Sequence, residues 1–572
     1  MDRHDVVHVL EEIAALLELK GENAFKVRAF QNAARTVGDY TGDVAAALAS
    51  GEFAAAKGIG PATLEVVREC LTAGRSSTLE SLRTDVPPGV VAMLRVSGMG
   101  AAKIRAVREQ LGIASLDELE AAARDGRLAR LPRFGAKTAA KILKSLEFLR
   151  RTSAFSLVPH ATRRAEALRA ALAALPGVAA VALAGSLRRR CEVVRDVDLA
   201  VATTVPLPLL ADQLLRSGAT GATVSDEPDL VTVRLERETT ADLHGSAPER
   251  FGHRLAWATG SLAHLEQLRR HAAERGLALD VAGLTRDGAP LDCPDEAAFY
   301  DALGLAWIPP ELREGADEVA RAAAGPLPRL VERADLRGLL HCHTTYSDGT
   351  NSVAELGEAC RALGYAWLGI TDHSQAAAYA GGLDPERVAR QHAEIDAWNA
   401  GSPDLRILKG IEADILADGR LDYAPEVLDR FDFVIGSVHS RFELDGAAMT
   451  ARVLRALDDP HLTILGHPTG RLLLTRDPYD IDLHQVIARA AERGVAIEIN
   501  ADPQRLDLDW RLCREARDAG VAISIGPDAH SLAGLQNVEF GIGIARKGWL
   551  EPQDVLNTRD AEGFLDYAKA RE

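Results

Sequence analysis

Six apolar runs in the second half of the chain each end in histidine or acidic residues, and an ordinary hydrophobic core asks for nothing of the kind. The run 336–340 enters Gly338-Leu-Leu-His-Cys-His-Thr-Thr-Tyr-Ser-Asp-Gly349. On a strand, side chains alternate with a period of two, so His341 and His343 are expected on one face and Cys342 on the other, with Asp348 on the loop beyond. The run 366–371 leads to Asp372-His373, 405–411 to Glu412-Ala413-Asp414, and 431–438 to His439. The run 462–466 leads to His467, and 521–526 to Asp528-Ala529-His530. Helix-like segments such as 353–363 and 482–493 lie between them, and a β-then-α alternation predicts a parallel barrel with its polar groups at the carboxyl ends of the strands. A hydrogen-bonded core or capping histidine explains one such residue, but it would have to recur independently at six strand ends. Imidazoles mixed with carboxylates at one end of a barrel point to a hydrolytic site holding several divalent cations.

Length and charge bound the rest. A chain of 572 residues exceeds what one core can bury and should divide into several domains. Six cysteines without a CxxC pair suggest reduced thiols in a cytoplasmic setting, and no apolar run approaches the length of a membrane span. The net charge of −17 excludes a protein that coats DNA through bulk electrostatics. The basic residues are nevertheless gathered. Eleven Lys or Arg stand between Arg127 and Arg169 against two acids, Glu147 and Glu166, and these eleven include Lys137 and Lys141. A solvated helix face explains such a run as readily as a nucleic-acid track, until the turn that precedes it is considered.

That turn belongs to a set. Lys57-Gly58-Ile59-Gly60-Pro61 and Val96-Ser97-Gly98-Met99-Gly100 each precede a helical pattern, and Pro132-Arg133-Phe134-Gly135-Ala136-Lys137 is a degenerate third copy. Glycines permit the tight bend of a helix-hairpin-helix, and the N–H groups at the start of the next helix can hold a phosphate. Such turns grip backbone rather than bases, so the binding they imply is independent of sequence. Gly58, Gly60, Gly98, Gly100, Lys137 and Lys141 are the DNA-contact candidates of an all-helical amino-terminal region.

A second chemical centre lies in VAAVALAGSLRRRCEVVRDVDLAVAT. Gly185 and Ser186 end one strand and suit a close approach to a triphosphate, and Arg189 supplies charge to neutralise it. Asp196 and Asp198 stand two apart on the next strand, facing one way, and Asp242 in Thr-Thr-Ala-Asp-Leu-His is the matching third carboxylate. Three carboxylates of this kind can share two Mg²⁺ or Mn²⁺ ions for nucleotidyl transfer, with a primer 3′-hydroxyl attacking the α-phosphate of a deoxynucleoside triphosphate.

Taken together, HCHTTYSDG, GITDHS, KGIEADI, GSVHS, GHPTGR and GPDAH resemble the PHP (polymerase and histidinol phosphatase) domain, and the whole chain resembles the bacterial family X DNA polymerases that end in one. The resemblance implies a multidomain chain: all-α helix-hairpin-helix domains, an α+β nucleotidyltransferase palm and a carboxyl-terminal distorted (β/α)7 PHP barrel. The expected limits are a small amino-terminal domain at 1–80, fingers at 81–150, palm at 151–245, thumb at 246–325, linker at 326–335 and PHP module at 336–572. It implies His341, His343, Asp348, His373, Glu412, His439, His467, Asp528 and His530 as ligands of about three divalent ions (Zn²⁺, Mn²⁺ or Fe²⁺), with Glu412 bridging two. It also implies nucleotide contacts at Thr259 and Gly260 of the retained Thr-Gly-Ser. The expected partners are gapped or nicked DNA and deoxynucleoside triphosphates, for a cytoplasmic, nucleoid-associated monomer.

The chain departs from the family pattern at several places. Leu340 replaces a frequent Asp, Arg195 a Gly, His244 an Arg, Leu262 a Lys and Leu265 an Asn that contacts the base in relatives. Val66 stands where some relatives carry a Schiff-base lysine, so no lyase activity is carried over. A pocket for a 5′ phosphate is expected near Lys26, Arg28 and Arg35. The expected activity is gap filling joined to 3′→5′ exonuclease, with abasic-site or 3′-phosphate cleavage open. A nuclease with a weakened palm is one rival reading, and a small-molecule phosphatase is another.

Overall fold

In the computed structural model, residues 3–38, 40, 44–235 and 239–570 are described, and they form two compact units, Met1–Ala154 and Phe155–Glu572. No described helix is long and apolar enough to cross a membrane.

The first unit is helical throughout its described residues. Helices Arg3–Leu19 and Ala24–Gly38 pack against each other on either side of the Gly21-Glu22-Asn23 break, through Leu10, Ile13, Leu17, Val27 and Phe30. The three hairpin turns precede Pro61–Ala73, Ala101–Leu111 and Ala136–Thr152. Gly58 and Gly98 take φ of 101° and 85°, and in the degenerate copy Arg133 takes φ 72° at the same place. The bend therefore keeps its left-handed residue even where glycine is lost, at the strain a Cβ brings there.

The second unit holds two sheets that matter for function. The first is mixed: β1 (Val178–Leu183), β2 (Val197–Thr203), β3 (Thr223–Glu227), β4 (Leu230–Arg234) and β5 (Thr240–Ser246), in the order β1-β2-β5-β4-β3. Helices Val158–Ala173 and Leu207–Ser217 bury their apolar faces against it. The second is wholly parallel and runs in sequence order: β6 (Gly338–Cys342), β7 (Trp367–Ile370), β8 (Arg406–Asp414), β9 (Phe433–Ser437), β10 (Leu462–Leu465), β11 (Ala496–Asn500) and β12 (Ile523–Gly526). A bridge between Cys342 and Ala529 brings its two edges together into a nearly closed seven-stranded barrel.

Leu368, Ile407, Val434, Ile497 and Ile523 pack in the larger apolar cluster of the barrel, shared with the helices. Trp367, Leu408, Phe433, Ile464 and Ala496 pack in a second cluster that is closed by Phe564 and Leu565 of the last helix, Ala561–Lys569. One of these side chains sits on a glycine: a Cβ at Gly410 would lie 2.4 Å from the Phe433 ring and 2.6 Å from the Ile370 carbonyl.

Between the sheets, helices Phe251–Thr259, Leu262–Glu274 and Glu296–Ala302 and a small sheet over 277–290 share an apolar core that also takes in Trp549 from beyond the barrel. The expected linker at 326–335 is packed into both neighbouring cores. Leu330 belongs to the core before it and Val331 to the barrel core after it. Arg514 pairs with Asp317 at 2.8 Å and Arg546 with Glu311 at 2.7 Å across it.

Glu296 receives two-pronged hydrogen bonds from both Arg188, at 2.7 Å, and the fully buried Arg313, at 2.7 and 3.0 Å. Burial alone would raise its pKa, but the two guanidinium groups hold it at about 2, against 4.5 for an ordinary glutamate. A depressed carboxylate stabilises the fold above its unfolded-state pKa and ceases to as the pH falls toward the folded one. This contribution is therefore expected to fade between about pH 4.5 and pH 2, and acid titration of Glu296→Gln followed by circular dichroism should lack that component. Gly410→Ala is expected to destabilise the barrel by roughly 1–3 kcal/mol in denaturant unfolding, since Phe433 and a backbone carbonyl must both give way.

Candidate metal centres and nucleic-acid contacts

In the mixed sheet, β2 and β5 run parallel with Asp198 directly beside Asp242, and Asp196 immediately precedes β2. Burial and the charges of Asp198 and Asp242 together raise the Asp196 pKa, which marks three converging carboxylates. Thr232 donates to Asp242 at 2.7 Å, and His244, at the departure from the family pattern, lies 3.1 Å from Asp198. Gly185 has φ 59°, and a Cβ there would fall 1.7 Å from Asp198 Oδ2, so only glycine fits beside the carboxylates. The buried Ser186 Oγ next to it has no hydrogen-bond partner.

The other nucleotide candidates stand differently from expectation. Arg189 is not turned free toward a ligand: its Nε donates to Glu314 at 3.0 Å and its Nη1 to the Thr259 carbonyl. Glu314 is held in turn by Lys547, a fully buried lysine that also donates to the Arg189 carbonyl at 3.0 Å. Thr259 is fully buried, and its hydroxyl accepts from Arg188 at 2.7 Å, so the side chain fastens the bend at Gly260. Leu265 lies in the apolar core of its own helical layer, whereas Leu262 is 87% exposed.

In the first unit Lys137 and Lys141 are exposed one turn apart, opposite the buried Ala139, Ile142 and Leu146. Within the basic run, Arg127 pairs with Asp125, Arg150 with Asp117 and Glu120, and Arg169 with Glu166. A cavity of about 730 Å³ opens beside Gly60 and is lined by Lys20, Lys26, Phe30 and Ser77. Lys20 pairs with Asp85 at 2.6 Å and Lys26 with Glu22 at 3.7 Å, while Arg28 lies over the Phe25 ring and does not line the cavity.

The barrel gathers all nine residues named from the PHP motifs. They fall into four overlapping groups with ligand atoms within 4.8 Å of one another: His343, Asp348, His373 and His530; His341, Glu412 and His467; His341, His343 and Asp528; His373, Glu412 and His439. Glu412 is central. Its Oε1 lies 3.0 Å from His467, 3.3 Å from His341 and 3.3 Å from His439, and its Oε2 lies 2.9 Å from His373 and 3.8 Å from His343. Burial would raise its pKa, but the surrounding histidines hold it well below the ordinary value. His343 is the converse. Burial drives it down to about 3, a neutral imidazole whose two ring nitrogens have no hydrogen-bond partner.

His341 Nε2, His373 Nδ1, His467 Nδ1 and Glu412 Oε2 are likewise buried and make no hydrogen bond, although His373 Nδ1 and Glu412 Oε2 lie 2.9 Å apart as an ion pair. A protein does not bury several lone pairs unsatisfied unless something else meets them, and nitrogen and oxygen donors without sulfur fit Zn²⁺, Mn²⁺ or Fe²⁺.

The backbone that aims these groups is not plain strand. His341, His467 and Asp528 have φ of 60°, 22° and 50°. The register between β6 and β7 shifts between Leu339 and Cys342, and these two share one apolar cluster while Leu340 lies in the other. Period-two alternation thus fails at His341. The left-handed residue turns its imidazole to the metal groups beside His343 and still leaves Cys342 in the core.

Four groups outside the expected ligand set hold these residues, and two of them, Glu498 and Arg505, carried no mark in the sequence reading. Glu498 accepts from His341 Nδ1 at 2.6 Å and from the His467 N–H at 2.8 Å. Asp414 lies 2.8 Å from His439 Nδ1. Asp372 accepts from Thr344, Ser347 and Gln391 and so fixes the loop bearing Asp348. Arg505 stands 3.4 Å from Asp528. The signal for Glu498 was a carboxylate in the middle of the apolar run Val495-Ala-Ile-Glu-Ile499, a costly place for a charge unless it has work there. Carboxylates that orient ligating histidines tune metal affinity. Glu498→Gln is accordingly expected to weaken metal binding about 10- to 100-fold, read by competition with a chromogenic chelator.

Comparison with known proteins follows the same division. Residues 1–76 match a helix-hairpin-helix domain, 90–147 a SAM-like helix-hairpin-helix tandem, 254–314 the DNA polymerase beta thumb and 340–502 the PHP domain. The "DNA polymerase/3′-5′ exonuclease PolX" of Bacillus subtilis is 38% identical over 99% of both chains. A "probable phosphatase" of Caldicellulosiruptor bescii is 26% identical over 40% of this chain and 94% of its own, and one from a Thermoanaerobacter species is 30% identical over 29% of this chain and 69% of its own. Full-length likeness, together with the order of hairpin domains, polymerase thumb and PHP barrel, places the chain in the family X DNA polymerases that carry a carboxyl-terminal PHP domain.

Proposed function

We propose that this protein fills short gaps in DNA with its mixed-sheet palm and trims 3′ ends with its barrel. The observation that carries the reading is the coexistence of two separate acidic centres on one chain, the Asp196–Asp198–Asp242 trio and the histidine-rich groups around Glu412.

In the palm, Asp196, Asp198 and Asp242 would hold two Mg²⁺ or Mn²⁺ ions, which when bound stabilise the entering and leaving oxygens of in-line transfer. Gly185 leaves room for the Asp198 carboxylate, and the Ser186 hydroxyl beside it has a free hydrogen bond to give a triphosphate. Arg189 exchanges its contact with Glu314 for the triphosphate. In the barrel, the nine ligands would hold about three ions (Zn²⁺, Mn²⁺ or Fe²⁺), which lower the pKa of a bound water to make the attacking nucleophile. Glu498 and Asp414 keep His341 and His439 in the tautomer that turns the other ring nitrogen to the ions. Arg505, beside Asp528, offers positive charge to a phosphodiester at the open side. The hairpin turns at Gly58, Gly60, Gly98 and Gly100 would hold the backbone of gapped or nicked DNA, with Lys137 and Lys141 beside the third turn. A DNA substrate supports a cytoplasmic, nucleoid-associated protein.

Arg189 bound to Glu314 and Leu265 within an apolar core favour one second reading, in which the nuclease dominates and the palm chiefly holds DNA. A labelled gapped duplex with Mg²⁺ or Mn²⁺, with and without nucleotides, separates the two. Asp196→Ala/Asp198→Ala is expected to abolish extension and spare 3′ degradation, and His341→Ala/His343→Ala to do the reverse. Degradation by wild type without extension in either metal would leave the nuclease reading alone.

A further inference from the structure

The metal groups are closed in on most sides. His341, His343, Glu412 and His467 are almost completely buried, and among the nine ligands only Asp348 and His530 have side chains exposed by about a third or more, at 34% and 40%. Next to this mouth stands Tyr379, a large aromatic side chain that is 73% exposed. Its ring centre lies 6.3 Å from that of His373 and 6.4 Å from that of His439.

The segment that carries it is firmly built. Ala377 and Ala380 on either side are buried, and the Leu383 N–H donates to the His373 carbonyl at 2.9 Å. The Gly382 N–H donates to the Ala377 carbonyl at 3.1 Å, and the Ala376 N–H to Asp422 at 2.7 Å. Arg387 donates to the Gly381 carbonyl at 2.6 Å and to the carbonyl of Tyr346. A Cβ at Gly382 would meet the Ser374 carbonyl at 1.9 Å, so the loop has one way to close. The chain thus spends a well-pinned loop on holding an aromatic face in water, immediately beside the site at which a phosphodiester would be cut.

We propose that Tyr379 is a nucleobase subsite: the base of the 3′-terminal nucleotide stacks on its ring while that nucleotide's phosphate meets the metal groups. An aromatic platform accepts any base, because each presents a π face, and on a pinned loop little ordering entropy is lost when one binds. The subsite rests on the nuclease reading above and adds to it a means of telling a DNA end from a small phosphate ester, which has no base to stack.

The test uses a single-stranded, 5′-labelled oligonucleotide and a second one ending in a tetrahydrofuran abasic residue. With wild type, Tyr379→Ala and Tyr379→Phe, KM and kcat are measured for release of the terminal residue, with metal content as a check on the fold. Loss of stacking is expected to raise KM for the normal end about 10- to 100-fold in Tyr379→Ala, with kcat changed little. Tyr379→Phe should match wild type. Wild type should show the same penalty on the abasic end, and Tyr379→Ala should add nothing to it. An equal loss on both ends in Tyr379→Ala, or no loss on either, would overturn the subsite alone. A wild type that leaves both oligonucleotides intact would overturn the nuclease reading and the subsite with it.

Discussion

Glu412 is a buried carboxylate with five histidine rings around it, and the carboxyl-terminal half of the molecule is arranged about that fact. A buried, ionised carboxylate is costly unless opposite charge is brought to it. Protonated imidazoles would meet that cost only in part, since His343 is driven neutral by the same burial. Cations shared between Glu412 and the ring nitrogens would meet it fully and satisfy the orphaned lone pairs together. The strand ends supply these groups from six different segments, so the barrel has to be nearly closed before the site exists at all.

Aiming them exacts backbone strain. Three of the proposed ligands, His341, His467 and Asp528, lie in the left-handed region that a side chain seldom adopts, and each stands at or just beyond a strand end. Such conformations persist only where the surroundings over-determine them. Here the surroundings are polar partners behind the side chains: Glu498 fixes His341 and the His467 backbone, and Asn500 donates to Asp528 at 3.0 Å. The ligands and their holders form one unit, and losing a holder is expected to relax the ligand before it perturbs the fold.

The two chemical centres are also not independent bodies joined by a tether. Lys547 follows the barrel in sequence, yet it is buried against Trp510 and reaches both Glu314 and the Arg189 backbone. Trp549 contributes to the core of the helical layer before the barrel, and Gly543 leaves room for the Arg190 side chain. The arginine expected to neutralise a triphosphate is thereby tied, through one glutamate, to the end of the other module.

How much of this was legible depended on whether the information was local. The hairpin turns, the Gly-Ser and Asp-x-Asp spacing and the histidines at strand ends could all be read, because each is a short stretch whose residues act together wherever they fold. The β-then-α alternation carried the barrel, and the resemblance of those stretches to a known family carried the full ligand set. What could not be read was anything decided between distant segments. Glu498 sits in a strand that has no histidine to draw attention to it, and it meets His341 across 157 positions of chain. Arg189 looked free beside Gly185, and only packing brought it a competitor 125 positions away. His341 and His343 reach one site as the alternation predicted, but through a bulge that no pattern announced. The sequence by itself determined which groups were available and which backbone turns would present them. Tertiary structure decided which groups were desolvated together, and desolvation is what makes a charge strong enough to need a partner.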